Sequence, residues 1–135
     1  METRQRYTLK KDGKLKSRKT IEQLFKQAKS FSNFPFRVLW KFNDTGGSIQ
    51  TGFAVSSKHF KKAVDRNRIK RLMREAYRLQ KNDLESLLKQ QEKIMAVFII
   101  YVGNELPEYD FIFEKMDYVL TRLIKITHEN LSANT

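Results

Sequence analysis

The chain has no cysteine, two histidines, two prolines and five glycines in 135 residues. Without cysteine there is no disulfide scaffold, thiolate nucleophile, CxxC redox pair or cysteine-based zinc site. Neither His59 nor His128 stands in an HExxH pattern, and neither GxSxG nor a Walker loop occurs. His59 follows Lys58 in a basic loop and reads as a solvated residue or one more cation-side contact, not a general base. Gly46-Gly47 reads as a turn. Glu105, Glu108, Asp110 and Glu114 fall in a loop and a helix start, where capping and dipole roles are expected. No residue of this chain is assigned a catalytic role. Long apolar runs are missing too: the longest, Ile94 to Val102, is far short of the ~20 residues a membrane span needs. Met1 to Arg6 has no apolar segment, so no secretory signal is expected and a cytoplasmic location is. With no repeat and no Pro/Gly/Ser linker, the expectation is one domain over 1–135, with a basic leader at 1–16 and a short polar tail at 130–135.

What the chain has is positive charge. Lys and Arg number 27 against 15 Asp and Glu, a net charge of +12, while 40% hydrophobic and 12% aromatic residues suffice for a core. The charge is polarised. Met1 to Lys29 holds ten basic and three acidic residues, and Lys58 to Lys81 holds ten and two, giving +7 and +8 against −3 for the rest. Two basic segments on a mildly acidic body are the footprint of a polyanionic partner, with nucleic acid ahead of an anionic membrane.

Hydrophobic spacing sets the elements. Ile21, Leu24, Phe25 and Ala28 predict a short amphipathic helix, with Ser17 or Thr20 as N-cap. Phe36, Val38, Trp40 and Phe42 alternate with Arg37, Leu39 and Lys41 as a strand; Ile49, Thr51, Phe53 and Val55 mark a second. Joined by the Asn43–Gly47 turn, the two are expected to form an antiparallel hairpin. From about Ala63 to Leu79 the period is helical: Ile69, Leu72, Met73, Ala76 and Leu79 fall in one arc, and Arg66, Asn67, Lys70, Arg71, Arg74 and Arg78 in the opposite one, with Tyr77 bordering the basic side. Ile94 to Val102 reads as a strand covered on both faces. Asp110 is the expected N-cap of a last helix through Phe113, Met116, Val119, Leu120 and Leu123. The fold class is α+β, an α/β sandwich.

The basic arc carries the functional signal. A merely solvated helix mixes Lys with Glu at i, i+4; here Arg66, Lys70, Arg74 and Arg78 follow that spacing with no acid expected among them. Such a row repels itself unless phosphates neutralise it. The aromatic row Phe36, Trp40 and Phe42 has two readings that spacing does not separate: a base-stacking platform, or part of the core.

Lys62-Ala63-Val64-Asp65-Arg66-Asn67-Arg68-Ile69-Lys70-Arg71-Leu72-Met73-Arg74-Glu75-Ala76 closely resembles the RNR signature of the bacterial ribonuclease P protein subunit. Leu9 to Lys16, Leu24-Phe25-Lys26 and Thr51 to Ser56 resemble its leader, first helix and the strand entering the signature helix. The resemblance implies a ribosomal protein S5 domain 2-like fold in the order α-β-β-(β)-α-β-α, with a left-handed βαβ crossover; a fourth strand is placed near Lys29–Ser32. It implies that the catalyst is an RNA, that Mg2+ at the RNA active site hydrolyses precursor tRNA to release the 5′ leader, and that the protein binds no cofactor by itself. The partners implied are that catalytic RNA and precursor tRNA, with no membrane and no DNA. Position by position, Arg66, Asn67, Arg68, Lys70, Arg71, Arg74 and Arg78 are expected to meet the catalytic RNA. Lys14, Lys16, Ile21, Phe25, Val38, Trp40 and Lys58 are expected to line the leader cleft, the strand residues under a one-residue gap near Phe34-Pro35. Ile21 replaces a common family aromatic, and the loop from Ser57 to Lys62 lacks the usual glycine. The alternatives are a ribosomal or chaperone-like RNA-binding protein with no part in cleavage, and a DNA-binding regulator.

Overall fold

The computed structural model describes residues 26–43 and 49–133. The expected first helix therefore lies mostly outside the described residues, apart from helical Lys26 and Gln27; Lys14, Lys16, Ile21 and Phe25 lie outside them entirely. The remaining elements are β1 (Lys29–Asn33), β2 (Phe36–Asn43), β3 (Ile49–Val55), α1 (Ala63–Gln80), α2 (Asn82–Gln90), β4 (Ile94–Tyr101) and α3 (Tyr109–Ala133). The strand placed near Lys29–Ser32 is β1. The helices α1 and α3 pack on each other, and α1 packs on β3.

The sheet order is β1-β2-β4-β3. It corrects the expected hairpin between β2 and β3: β4 lies between them, antiparallel to β2 and parallel to β3, and the antiparallel hairpin partner of β2 is β1. The reason is burial. β4 is apolar throughout, so a position flanked on both sides and covered on both faces hides the most hydrocarbon. Met95, Val97 and Ile99 are fully buried on one face, and Ala96 and Phe98 are buried on the other. Because β3 and β4 run parallel, the chain between them must cross over, and α1 and α2 form that crossover.

On one face of the sheet, Phe36, Val38, Met95, Val97 and Ile99 meet α1 through Ile69, Met73, Ala76 and Tyr77, and α3 through Ile112, Met116, Val119 and Leu123, in one core. Tyr77 and Leu79 exchange the places that ideal spacing gives them: Tyr77 is 1% exposed and Leu79 39%. The Tyr77 ring sits edge-on to Phe53 at 5.5 Å, and its hydroxyl accepts a 2.7 Å bond from Thr51 Oγ1. That buried partner gives a tyrosine a reason to turn inward. α2 went unassigned in the sequence, although Leu84 and Leu88 have helical spacing; both are fully buried. Lys81, buried at the α1–α2 junction, donates from Nζ to Glu85 at 3.1 Å. Asp110 is not the cap of α3 but lies inside its first turn, where its charge still favours the dipole.

Two consequences can be measured. Glu92, just beyond α2, has φ +55, in the left-handed region that costs a side chain about 1 kcal/mol; Glu92→Gly is expected to raise unfolding free energy by up to that amount in urea titration. Burial raises the Tyr77 pKa above its ordinary value, opposed by the Thr51 hydrogen bond. The folded state therefore holds the phenolic proton more tightly than the unfolded chain. The stability this contributes is complete below the unfolded tyrosine value near ~10 and is lost as pH rises beyond it. Tyr77→Phe should flatten that alkaline decline while costing roughly 1–3 kcal/mol at neutral pH, because Thr51 loses its partner.

Candidate nucleic-acid interface

The face of α1 turned away from the core carries the cations. Asn67, Arg68, Arg71 and Arg74 are exposed, and Lys70 is half-buried. Among the described residues none of these five has a hydrogen-bond or ion-pair partner. The two ends of the row differ. Arg66 Nη1 donates to the carbonyls of Phe60 and Lys61 at 2.7 and 2.8 Å. Arg78 makes two bonds to Glu75, at 2.6 and 3.1 Å, so the expectation of a row without an acidic partner fails at this end. The hydrogen bond from Arg78 holds the Glu75 carboxyl below its usual value, and the same bond raises Arg78. The unpaired stripe thus runs from Asn67 to Arg74.

The Arg66 contacts also define the loop ahead of α1. Phe60 is buried, with its ring 6.1 Å from Tyr101, and Arg66 ties down the carbonyls on its C-terminal side. One aromatic anchor and one guanidinium hold a loop that lacks the expected glycine. Lys58 and His59 stand exposed on it, and the Lys58 N–H donates to Ser56 Oγ at 3.3 Å. A guanidinium has five N–H donors, so Arg66 can hold the loop and still donate outward.

The structure places the strand residues expected in a leader cleft on the side of the sheet that packs on the helices. Val38 is fully buried, opposite Phe31 and Ile99 in the main core. Trp40 is half-buried against the same core, edge-on to Phe42 at 5.5 Å, with the Lys29 ammonium 5.7 Å from its ring. Both stand on the face covered by α1 and α3. The other face presents Arg37, Leu39 and Lys41. There Ala28 packs against Leu39, Ala96 and Phe98, and Lys41 Nζ donates to Gln27 at 2.6 Å. A strand alternates with period two, so a one-residue change in the assumed gap exchanges Val38 and Trp40 for Arg37, Leu39 and Lys41.

A four-stranded sheet backed by a helix whose exposed cations have no partner among the described residues defines a basic α+β protein. Comparison with known proteins makes that class specific. Residues 9–124 match the family model described as Ribonuclease P. The chain is 33% identical over 119 residues to a ribonuclease P protein component from Porphyromonas gingivalis, covering 87% of each chain. It is 32% identical to the protein component from Clostridioides difficile, over 84% of this chain and 90% of that one. Its fold is similar to the solved RNase P protein from Thermotoga maritima, with a TM-score of 0.64 and 28% identity over 81% of this chain and 96% of that one. The Staphylococcus aureus RNase P protein shares the fold at a TM-score of 0.62 over 82% and 94%. The chain belongs to the ribonuclease P protein component family, whose role is in tRNA processing and whose partner is ribonuclease P RNA.

The division of labour along α1 is testable. Glu75→Gln should free Arg78 and add one cation to the stripe, steepening the salt dependence of RNA binding by up to about 0.9 in log–log slope. Arg66→Ala should instead loosen the loop, seen as faster amide exchange from Ser57 to Lys62, together with any loss of affinity.

Proposed function

We propose that this chain is the protein subunit of a ribonuclease P ribonucleoprotein that removes the 5′ leader of precursor tRNA. The observation that carries the reading is the unpartnered stripe Asn67, Arg68, Lys70, Arg71 and Arg74, lying within the RNR-like segment. Phosphate neutralisation removes the self-repulsion of such a stripe and releases counterions from the RNA, and both effects drive association. In this reading α1 docks on the catalytic RNA, and cleavage, with its Mg2+, belongs to that RNA. The protein supplies grip: affinity for the substrate and compaction of the ribozyme.

The leader runs along the sheet face that carries Arg37, Leu39 and Lys41, toward exposed Lys58 beyond β3. Arg37 and Lys41 offer phosphate contacts, and the half-buried Ala54 and Ile100 beside them offer apolar surface for bases. Lys14, Lys16, Ile21 and Phe25 keep the leader roles the resemblance implies. Val38 and Trp40 are left to the core.

Adding the protein to a bacterial ribonuclease P RNA at low magnesium should accelerate leader removal; absence of stimulation would overturn the reading and favour an RNA-binding protein with no part in cleavage. Lys70→Ala should weaken binding to the catalytic RNA and lower the salt slope by about one unit. Arg37→Ala combined with Lys41→Ala should weaken precursor tRNA more than mature tRNA, whereas equal weakening of both would remove this face from leader binding.

A further inference from the structure

The edge where β1 meets α3 presents side chains that belong to neither surface discussed so far. Phe111, Lys115, Tyr118 and Arg122 are spaced four, three and four residues apart, so they form one stripe along α3. The Lys115 ammonium lies 5.6 Å from the Phe111 ring and 5.3 Å from the Tyr118 ring. The Arg122 guanidinium lies 4.6 Å from the ring of Phe31 on β1. At its Phe111 end the stripe opens into a cleft of about 250 Å³, whose walls include Phe34, Leu106, Glu105 and Glu108.

This cleft is built into the fold. The Tyr101 hydroxyl donates to the Glu105 carbonyl at 2.7 Å, and the Val102 N–H donates to the Pro35 carbonyl at 2.8 Å, joining the loop after β4 to the tip of the β1–β2 hairpin. Gly103 lets the loop close on the Tyr101 ring: a Cβ there would lie 2.6 Å from the Tyr101 hydroxyl oxygen. Yet the apolar walls are open to solvent, with Phe34 65% and Leu106 48% exposed. The core does not use them.

We infer that this edge is a second binding site, for single-stranded RNA. One unstacked base enters the cleft against Phe34 and Phe111, and the adjoining phosphates lie on Lys115 and Arg122. Alternating rings and cations suit a chain that alternates π faces with negative charge. Cation–π contact leaves the N–H donors of Lys115 and Arg122 available to phosphate oxygens. The carboxylates of Glu105 and Glu108 would repel a bare phosphate, but they accept hydrogen bonds from base amino groups. Guanine, with N1–H and the 2-amino group side by side, can give a carboxylate two parallel bonds. Uracil presents a single N–H between two carbonyl oxygens. The cleft therefore selects guanine over uracil. The inference stands on this geometry and not on the catalytic-RNA reading.

The test uses the full chain with 4-fluorophenylalanine at position 34 alone, followed by fluorine NMR. A uridine hexamer carrying one guanosine should shift that resonance saturably, and the all-uridine hexamer should bind there at least roughly five-fold more weakly. In the otherwise unlabelled chain, Phe34→Ala should lower hexamer affinity by roughly five-fold or more. Lys115→Gln with Arg122→Gln, read by the same resonance, should lower the log–log salt slope by about 1.4, at 0.7 per phosphate contact on a single strand. Arg71→Ala with Arg74→Ala should leave the resonance response unchanged while weakening catalytic-RNA binding, which separates this site from α1. The inference is overturned if hexamers bind without moving the resonance. It is also overturned if the resonance moves with protein concentration alone, which would mark an interface between copies. Equal response to both hexamers would overturn the guanine selection.

Discussion

The structure depends on one imbalance across α1: hydrocarbon on one side held firmly enough to keep unpaired cations on the other. Ile69, Met73, Ala76 and Tyr77 are essentially buried under the sheet and α3. Burying a large apolar side chain contributes about 1.5–3 kcal/mol. Like charges at i, i+4 cost only about 0.2–0.5 kcal/mol per pair. Lys70 and Arg74, and Arg71 beside them, therefore stay helical although no described residue pairs with them. The repulsion they store is small against the fold and becomes available to a phosphate-bearing partner.

The same imbalance explains why the ends of the row are used internally. At the N-terminal end, one nitrogen of Arg66 satisfies two loop carbonyls that precede the helix. At the C-terminal end, Glu75 neutralises Arg78 one turn away, while Gln80 donates to the Phe113 carbonyl and joins α1 to α3. The cations of α1 that have no partner among the described residues fall in the middle two turns. Residues with identical spacing thus divide into those that fix the platform and those left to bind.

Much of this was legible because it follows from local periodicity. The body of α1, the alternation of β2 and the doubly covered β4 are each written in the spacing of apolar residues, whereas Ala63 and Val64 fall off the stripe and hide where α1 begins. Strand order was not. A turn-rich segment between two alternating strands suggests a hairpin, but the choice of neighbour depends on which strand most needs a central place, and that is a property of the whole sheet. Tyr77 was misplaced for a related reason: only the position of Thr51, 26 residues away, gives its hydroxyl a buried partner. Glu75 was visible three residues before Arg78, an allowed pairing distance on a helix, but ideal angles put it off the basic arc. Long side chains reach across such boundaries.

The cleft residues show how unforgiving a strand is compared with a helix. A one-residue slip on a helix turns a side chain by about 100°, so its neighbours still overlap the intended face; on a strand it sends every side chain to the opposite surface. Under the assumed gap Val38 and Trp40 are candidates for RNA contact; in the structure both stand on the side of Phe36, which is fully buried. Counting by twos from that fixed point puts Arg37, Leu39 and Lys41 together on the other face. The sheet then acts as a partition. Its aromatic side is committed to supporting α1 and α3, and on its mixed basic and apolar side Lys41 reaches Gln27 while Ala28 packs on Leu39, Ala96 and Phe98.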